Sequence, residues 1–330
     1  MKKVGVIYGG KSTENEVSCL SAESVMDNLD KDKFEIYPIY IDKKGIWYAG
    51  ENQIENQIDY LKKLDVIFSV LHGLYGEDGT IQGMLELIGV PYVGCKVLAS
   101  AVGMDKVYSK IIFERAGLLQ AKYIYIKAKK DIYILVEKDF KEKEIDKEEI
   151  KVKVREEFKF PVFVKPSNSG SSVGITKVDN TEELIIAIEN AKVFDSKILI
   201  EEGINGRELE CAVLGSEDVI SSCTGEVKPS SEFYSYDAKY NSEESKIIIP
   251  ADIDKEIEEE IQKQAIIAFK AIDGRGLSRV DFFVEHGTNK IYINEINTLP
   301  GFTNISMYPK LFKASGISYK ELLSKIIQNV

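Results

Sequence analysis

The chain contains few residues of the kinds that stabilise proteins through sulfur or zinc chemistry. Only four cysteines and two histidines occur among its 330 residues. The cysteines are far apart and form no C-x-x-C pair, which argues against both a disulfide framework and a structural zinc site. The sequence therefore predicts reduced, buried thiols at four positions: Cys19, Cys95, Cys211 and Cys223.

Long apolar runs are also missing. No stretch approaches the ~20 apolar residues that a membrane-spanning helix needs, and the run at residues 4–8 is too short for a signal-peptide core. The formal net charge of −11 argues against a general nucleic-acid or anionic-membrane surface, because such a surface must be basic. We therefore expect a soluble, cytoplasmic protein with no nucleic-acid or membrane partner.

The length favours two or three domains, and the first of them has a clear pattern. Residues 4–8, 34–41 and 66–71 are typical of strands, and residues 18–29 of a helix. Strands that alternate with helices predict a parallel sheet, whose ligands gather beyond the carboxyl ends of the strands. The glycine-marked ends of two strands, at residues 9–10 and 72–73, are therefore candidate site segments.

The first strand also contains a literal phosphate-loop pattern. Residues 5–12, GVIYGGKS, fit G-x-x-x-x-G-K-S/T. In that motif the first glycine follows a strand, so that a free loop wraps the phosphates. Here Gly5 lies inside the predicted strand, among residues of high β-propensity. We therefore interpret the segment as a strand that ends in a Gly-Gly turn, with Glu14 facing the cleft.

Later segments are predicted from composition and periodicity. Residues 127–159 interleave Lys and Glu, which indicates a solvated peripheral segment and not a charged binding arm. Residues 230–241 are polar and aromatic without periodicity, which predicts a loop or lid. The remaining elements are strands at 161–165 and 198–201, a hairpin of 277–284 and 291–297, and a terminal helix at 318–330.

A lysine at a strand end, followed by a loop of small residues, is the strongest phosphate-binding candidate. The run KPSNSGSSVG covers residues 165–174, and the backbone N–H groups of such a loop can point at phosphate oxygens. An ordinary surface turn is the alternative interpretation. The strand at 198–202 offers backbone groups for an adenine edge, and Glu208 offers a carboxylate for ribose hydroxyls, although acidic residues of this kind are more often simply solvated.

The C-terminal hairpin brings polar residues onto one face. If residues 286–290 form its loop, Glu285 pairs with Ile291 and Asp281 falls opposite Glu295. A slip of one residue would place the two carboxylates on opposite faces. Residues two apart on a strand share a face, and two polar pairs do so here: Arg279 with Asp281, and Glu295 with Asn297.

This arrangement predicts a divalent metal site. Two carboxylates and an amide are hard oxygen ligands, which suit Mg²⁺ or Mn²⁺ bridging nucleotide phosphates. The alternative is two exposed acidic side chains. The apolar residues that flank them and the Pro300-Gly301 turn that follows favour the metal site.

Together these motifs resemble those of the D-alanine–D-alanine ligases, which are ATP-grasp enzymes. The resemblance covers nearly the whole chain, and its most specific segments are HGLYGEDG at residues 72–79 and NEINTLPG at residues 294–301, in that order. The accompanying segments are GGKSTE at 9–14, MDK at 104–106, KPSNSGSSVG at 165–174, YDAKY at 236–240 and RVD at 279–281.

The resemblance implies an α/β (α+β) fold with three domains. Residues 1–97 would form an N-terminal parallel-sheet, pre-ATP-grasp domain that binds substrate. Residues 98–200 would form the central ATP-grasp subdomain, and residues 201–330 the C-terminal subdomain with the metal site. ATP would be gripped between the sheets of these last two units.

Site roles also follow from matching positions. For the nucleotide, the resemblance implies Lys106, Lys165 and Ser171 at the phosphates, Glu201, Glu202 and Ile204 at the adenine, Glu208 at the ribose and Lys239 at the γ-phosphate. For the metals, it implies two Mg²⁺ or Mn²⁺ ions on Asp281, Glu295 and Asn297. For the amino acids, it implies Glu14 at the first ammonium with His72 nearby, Arg279 and the Gly301 N–H at the oxyanion, Ser306 and Met307 at the second carboxylate, and a hydrogen-bonded triad of Glu14, Ser171 and Tyr240.

The activity that the resemblance implies is ATP-dependent joining of two D-alanine molecules in peptidoglycan precursor synthesis. Tyr240, and Met307 in place of an arginine beside Ser306, favour D-alanine as the acceptor; D-serine or D-lactate is the alternative. A homodimer is expected from the family. Another ATP-grasp activity, a catalytically inactive binding protein and a phosphate-loop kinase are the competing hypotheses.

Overall fold

The computed structural model describes residues 1–228 and 246–330. Its N-terminal sheet has the order β4-β3-β2-β1-β5. Strands β1 (Lys2–Gly9), β2 (Phe34–Ile41) and β5 (Val66–Ser69) are parallel, as the sequence predicts, and β3 (Trp47–Ala49) and β4 (Asn52–Gln53) extend the sheet as an antiparallel hairpin. Helices α1 (Asn15–Asn28), α2 (Gln57–Leu61) and α3 (Thr80–Ile88) complete this region.

The central sheet is antiparallel and has the order β10-β9-β11-β6-β7-β8. Two helices precede it, α4 (Val97–Met104) and α5 (Lys106–Arg115). Its elements are β6 (Tyr123–Lys129), β7 (Ile132–Val136), β8 (Glu142–Ile145), α6 (Lys147–Glu157), β9 (Val162–Pro166), β10 (Thr176–Val178), α7 (Thr181–Lys192) and β11 (Lys197–Glu202).

The C-terminal sheet is also antiparallel and has the order β14-β13-β12-β15-β16. Its elements are β12 (Gly206–Gly215), β13 (Ile220–Lys228), β14 (Lys246–Ile248), α8 (Lys255–Ala271), β15 (Gly276–Glu285) and β16 (Ile291–Asn297), followed by α9 (Met307–Ala314) and α10 (Tyr319–Gln328). The predicted hairpin is β15–β16, and the predicted terminal helix is α10.

The prediction that residues 127–159 form a solvated peripheral segment is incomplete. It supplies β7, β8 and α6, and its apolar residues, such as Tyr133 and Val154, are buried in the core of the central sheet. Its Lys and Glu residues lie mostly on the exposed faces of these elements. The secondary structure of such a segment is difficult to recognise in the sequence, because the apolar residues that pack in the core are few and widely spaced among the charged ones.

Two shared cores hold the site together. Helices α4 and α5 pack on the C-terminal sheet, where Phe113 and Phe282 belong to one buried cluster. The N-terminal sheet packs on the C-terminal helices, where Phe68 and Phe302 meet edge to face with ring centroids 5.5 Å apart. The ends of β1 and β5 are therefore fixed beside the loop that follows β16.

The interpretation of residues 5–12 as a strand and turn is confirmed. Gly5 lies in the middle of β1, where it pairs with Tyr37 on one side and Ile67 on the other. A Cβ at this position would collide with the side chain of Leu64. The segment is therefore a core strand, and it cannot wrap a phosphate group.

The cysteines are free thiols, as predicted. Cys95 and Cys211 are buried, and burial raises the pKa of the Cys95 thiol to about 11 and that of Cys211 to about 12. Cys19 and Cys223 are only partly buried, which corrects the expectation for these two. Within the described ranges, no helix has the length and apolar character needed to cross a membrane.

Candidate active site

A cleft of about 850 Å³ opens between the central and C-terminal sheets, and residues from the N-terminal sheet close one end of it. Lys239 and Tyr240 lie outside the described residues. Among the other predicted site residues, Asp281 alone is absent from the wall of the cleft. Those on the wall are Glu14, His72, Lys106, Lys165, Ser171, Glu201, Glu202, Ile204, Glu208, Arg279, Glu295, Asn297, Gly301, Ser306 and Met307.

Glu14 links the N-terminal domain to the small-residue loop of the central domain. It lies just before α1, is 7% exposed and accepts a hydrogen bond from the Ser171 hydroxyl. Gly73, at φ +71°, lies against the same carboxylate, and a Cβ there would collide with it. Two strand ends and one loop therefore meet at this carboxylate, which is suited to bind a cation such as an ammonium group.

His72 is held from both sides. Its Nε2 lies 2.9 Å from the Ser21 hydroxyl, and its Nδ1 lies 3.3 Å from Oε1 of Glu77. The same Glu77 oxygen accepts from the Gly73 N–H at 2.8 Å. These contacts fix the imidazole, which is 5% exposed, beside the Glu14 end of the cleft.

Lys106 reaches across the cleft from the start of α5. Its ammonium donates to the Ser169 carbonyl at 2.7 Å and lies 3.7 Å from Oε2 of Glu295. Asp105 caps this helix and also accepts from the Ser167 hydroxyl. The cap therefore ties the first turn of α5 to the beginning of the small-residue loop.

Glu201 lies between two lysines on the floor of the cleft. Its carboxylate pairs with the ammonium groups of Lys110 and Lys165. Burial raises the pKa of Glu201, but the two ammonium groups outweigh burial and lower it to about 2. The neighbouring Glu202 carboxylate accepts from the Lys122 N–H at 2.8 Å, so the two adjacent acids face different surroundings.

Arg279 is held by two carboxylates. Its Nε and Nη2 donate to Asp281 at 2.7 Å each, and its Nε lies 2.9 Å from Oε2 of Glu210. Burial alone would lower the pKa of Arg279, but these carboxylates raise it well above its usual range. The guanidinium is therefore a permanent cation on the wall of the cleft.

The register of the hairpin confirms that Asp281 lies opposite Glu295. The predicted pairing at the loop end is wrong: Ile291 pairs with Val284, and not with Glu285. The Glu285 N–H donates to the Lys290 carbonyl at 2.9 Å, so the turn is one residue shorter than predicted. A register shift next to Asp281 adds one residue on β16, and this bulge restores the opposition of the carboxylates.

The predicted metal ligands lie close together, and their carboxylate and amide oxygens are of the kind that hard divalent cations prefer. Asp281 and Glu295 face each other across the strand pair, and the Asn297 amide donates to Oδ2 of Asp281 at 3.0 Å. Asp281 is 3% exposed and lies behind Arg279 and Asn297. In the described part of the chain, no three His, Cys, Asp or Glu side chains gather as a metal cluster; the predicted set contains two such residues and an amide.

The loop after β16 lines the cleft at the end that the N-terminal sheet closes. A Cβ on Gly301 would lie 2.7 Å from the Ser306 hydroxyl, which accepts from the Thr303 N–H at 3.0 Å. The Met307 side chain is packed in the core, 6% exposed. We therefore expect Met307 to contact a substrate through its backbone N–H. This N–H lies in the first turn of α9, where it has no hydrogen-bond partner within the helix.

Comparison with known proteins identifies the family. A sequence model described as the D-ala D-ala ligase C-terminus matches residues 112–328, and one described as the D-ala D-ala ligase N-terminus matches residues 3–60 and 51–95. The chain belongs to the D-alanine–D-alanine ligase family. The family and the ATP-grasp fold predicted from the sequence are confirmed, and the family consists of ATP-dependent ligases that form a peptide bond.

Relatives of this ligase family match nearly end to end. The chain is 48% identical to the D-alanine–D-alanine ligase of Acetivibrio thermocellus, covering 99% of this chain and 95% of the relative. It is 47% identical to that of Clostridium acetobutylicum, covering 99% and 97%. Among solved structures, the VanG D-Ala:D-Ser ligase from Enterococcus faecalis has a TM-score of 0.86 at 38% identity (99% and 98% covered), and the ligase from Coxiella burnetii has 0.83 at 32% (99% and 93% covered).

Several residues that organise this ligase cleft were not predicted as site residues. Glu77 belongs to the HGLYGEDG segment, and this motif could have identified it as a site residue. Glu210 follows Glu208 at the spacing of one strand face, which is a weaker signal. Lys110 is a lysine at a buried helical position, and sequence periodicity alone does not reveal its partner.

Proposed function

We propose that this chain joins two D-alanine molecules into D-Ala-D-Ala at the expense of ATP, releasing ADP and phosphate, in the synthesis of a peptidoglycan precursor. The observation that carries the proposal is convergence in one cleft: the Glu14 carboxylate, the ammonium groups of Lys106 and Lys165, and the Arg279 guanidinium all line it. This set provides one site for an ammonium and several for oxyanions. Family membership supports the same conclusion.

The chemistry requires activation of a carboxylate. A carboxylate is a poor acylating agent, because its leaving group would be oxide. An oxygen of the first D-alanine attacks the γ-phosphorus of ATP, which forms D-alanyl phosphate and releases ADP. The neutral amine of the second D-alanine then attacks the carbonyl carbon, its nitrogen loses one proton as the C–N bond forms, and phosphate leaves with the bridging oxygen.

Positioned cations supply most of the protein's contribution to such a reaction. Lys106 and Lys165 hold the phosphates, with Ser171 and the N–H groups of its loop, and Lys239 acts at the γ-phosphate. Arg279 and the Gly301 N–H stabilise the oxyanion that develops at the attacked carbonyl. The adenine and ribose contacts fall to residues at the other end of the cleft: Glu201, Glu202, Ile204 and Glu208.

The metal ligands are proposed to be Asp281, Glu295 and Asn297, holding two Mg²⁺ or Mn²⁺ ions. Such cations neutralise charge on a transferring phosphoryl group. The support is the register of β15 and β16, which sets the two carboxylates opposite each other. Both oxygens of Asp281 accept from the Arg279 guanidinium, which orients this carboxylate on its strand.

The amino-acid subsites lie at the N-terminal end of the cleft. Glu14 binds the ammonium of the first D-alanine, beside His72, and Glu14, Ser171 and Tyr240 form a triad. Ser306 and the backbone of Met307 bind the carboxylate of the second. We also propose a cytoplasmic homodimer, with domains at residues 1–97, 98–200 and 201–330; β11 runs to Glu202, two residues past the second limit.

Activity and acceptor choice are tested together. Purified protein with ATP and Mg²⁺ should release ADP only when D-alanine is added, with one ADP per D-Ala-D-Ala. L-alanine should be inactive. D-serine and D-lactate, offered with D-alanine, should be poorer acceptors.

ADP release without D-alanine would contradict a ligase. D-serine is the acceptor in the name of the VanG relative. A clear preference for D-serine or D-lactate would be consistent with a ligase but would contradict the proposed product.

A further inference from the structure

A buried cluster of three charged side chains lies under the nucleotide end of the cleft. The Glu201 carboxylate is 3% exposed, and each of its oxygens faces a different ammonium: Oε1 that of Lys110 and Oε2 that of Lys165. Glu201 pairs with Tyr123 and Phe163 on the neighbouring strands. The carboxylate is therefore shielded from water on both sides, and its two lysines are its counterions.

The two lysines differ in what they can reach. Lys165 lies on β9 and lines the cleft, whereas Lys110 lies on α5, has a side chain only 4% exposed and is not on the cleft wall. The Lys110 ammonium lies 5.4 Å from the centre of the Tyr123 ring. An anion in the cleft can therefore attract Lys165, but Lys110 remains beside Glu201.

This difference matters when a polyphosphate binds. If Lys165 turned to a phosphate and Glu201 had no other partner, a buried carboxylate would be left without a counterion, which is strongly unfavourable. With Lys110 present, Glu201 keeps one charge-assisted pair. This remaining pair favours the release of Lys165 to the ligand.

We infer that Lys110 is a positioning residue for ATP: it holds Glu201 while Lys165 is drawn to the phosphates. The inference rests on the proposed function, in which Lys165 contacts ATP. The plainer alternative is that Lys110 only anchors α5 to β11. Such an anchor would affect folding stability, but it would not distinguish a nucleotide with phosphates from one without.

The test compares ATP with adenosine, because adenosine does not require Lys165 to leave Glu201. Lys110→Met removes the ammonium and keeps an unbranched side chain. By isothermal titration calorimetry in Mg²⁺ buffer, we expect K110M to weaken ATP binding about 10- to 100-fold and adenosine binding less than about threefold. K110R, which retains the charge, should restore most of the ATP affinity.

Further variants separate the cluster from general destabilisation. Lys192, which pairs with Glu189 outside the cleft, is the control: K192M should leave the ratio of ATP to adenosine affinity unchanged. Neutralising the carboxylate removes the need for a counterion. The ratio for the double variant K110M/E201Q should therefore equal that for E201Q alone, and this comparison remains available if K110M does not fold.

Each outcome is decisive. If K110M weakens ATP and adenosine equally, or neither, the inference is wrong. It is also wrong if removing Lys110 lowers the ratio when Glu201 is already neutral. Failure of the unmodified protein to bind ATP would refute the proposed function itself, whereas normal ATP binding with an unaffected K110M would refute only the role of Lys110.

Discussion

Replacing Arg279 by methionine should lower kcat for dipeptide formation by about 10²- to 10³-fold, the usual cost of removing one oxyanion-stabilising donor. The guanidinium lies on the cleft wall and is fixed by Asp281 and Glu210. In the proposed reaction this guanidinium stabilises the negative charge that develops on the attacked carbonyl, and it is fixed in place before any substrate arrives. KM for ATP should change much less than kcat, because the proposed nucleotide contacts lie elsewhere.

The same substitution also removes a counterion, so stability must be measured separately. Methionine leaves Asp281 and Glu210 without their shared guanidinium, which should destabilise the fold by about 3–5 kcal/mol. Thermal unfolding followed by circular dichroism will show whether the kinetic sample is folded. R279K, which retains a charge but not the paired donors, should recover stability better than kcat.

A second arginine provides the matched control. Arg207 donates from Nε and Nη2 to Glu226 at 2.8 Å each, on strands of the same sheet. R207M should lose stability to a similar extent and retain most of kcat. A kcat for folded R279M within about threefold of the unmodified protein, or an equal loss in R207M, would rule out the role assigned to Arg279.

Glu14→Gln should raise KM for the first D-alanine by about 100-fold or more, because an ammonium in a water-poor site loses its charged partner. The substitution preserves the shape of the side chain and a partner for the Ser171 hydroxyl. KM for ATP should change little. The kinetics need both D-alanine sites resolved, by initial rates over a wide range of D-alanine concentration.

Glu16 is the control for this substitution. It lies two residues further along, in the first turn of α1, and its side chain is 89% exposed. E16Q removes the same charge from the same helix end and should leave KM for D-alanine unchanged. Equal effects of E14Q and E16Q on KM would mean that D-alanine responds to the overall electrostatic field of the N-terminal domain, and that it makes no direct contact with Glu14.

Much of the lining of this cleft could be predicted from the sequence, because its informative residues stand at strand ends. Gly9 ends the parallel strand β1, His72-Gly73 comes just after the parallel strand β5, and Gly73 lies against the Glu14 carboxylate. The opposition of Asp281 and Glu295 was predicted from an assumed loop at residues 286–290. That assumption missed the shorter turn and the bulge, because these depend on local backbone hydrogen bonds. The two differences compensate, so the predicted opposition is still correct.

Charge pairs between residues far apart in the chain could not be predicted from the sequence. Glu201 and Lys110 are 91 positions apart and meet only because α5 packs against β11. Glu210 and Arg279 meet because β12 and β15 are neighbours, although 69 positions separate them in the chain. Such partners depend on the order of strands in a sheet, which single-sequence patterns do not specify.

The fate of a carboxylate oxygen tests the acyl-phosphate reaction most directly. D-alanine labelled with ¹⁸O in both carboxylate oxygens should transfer one labelled oxygen to inorganic phosphate for each D-Ala-D-Ala formed, measured by ³¹P NMR or mass spectrometry. The label leaves with phosphate because the attacking oxygen bridges carbon and phosphorus until the amine displaces it. Dipeptide formed with unlabelled phosphate, or with the label in AMP, would contradict the account.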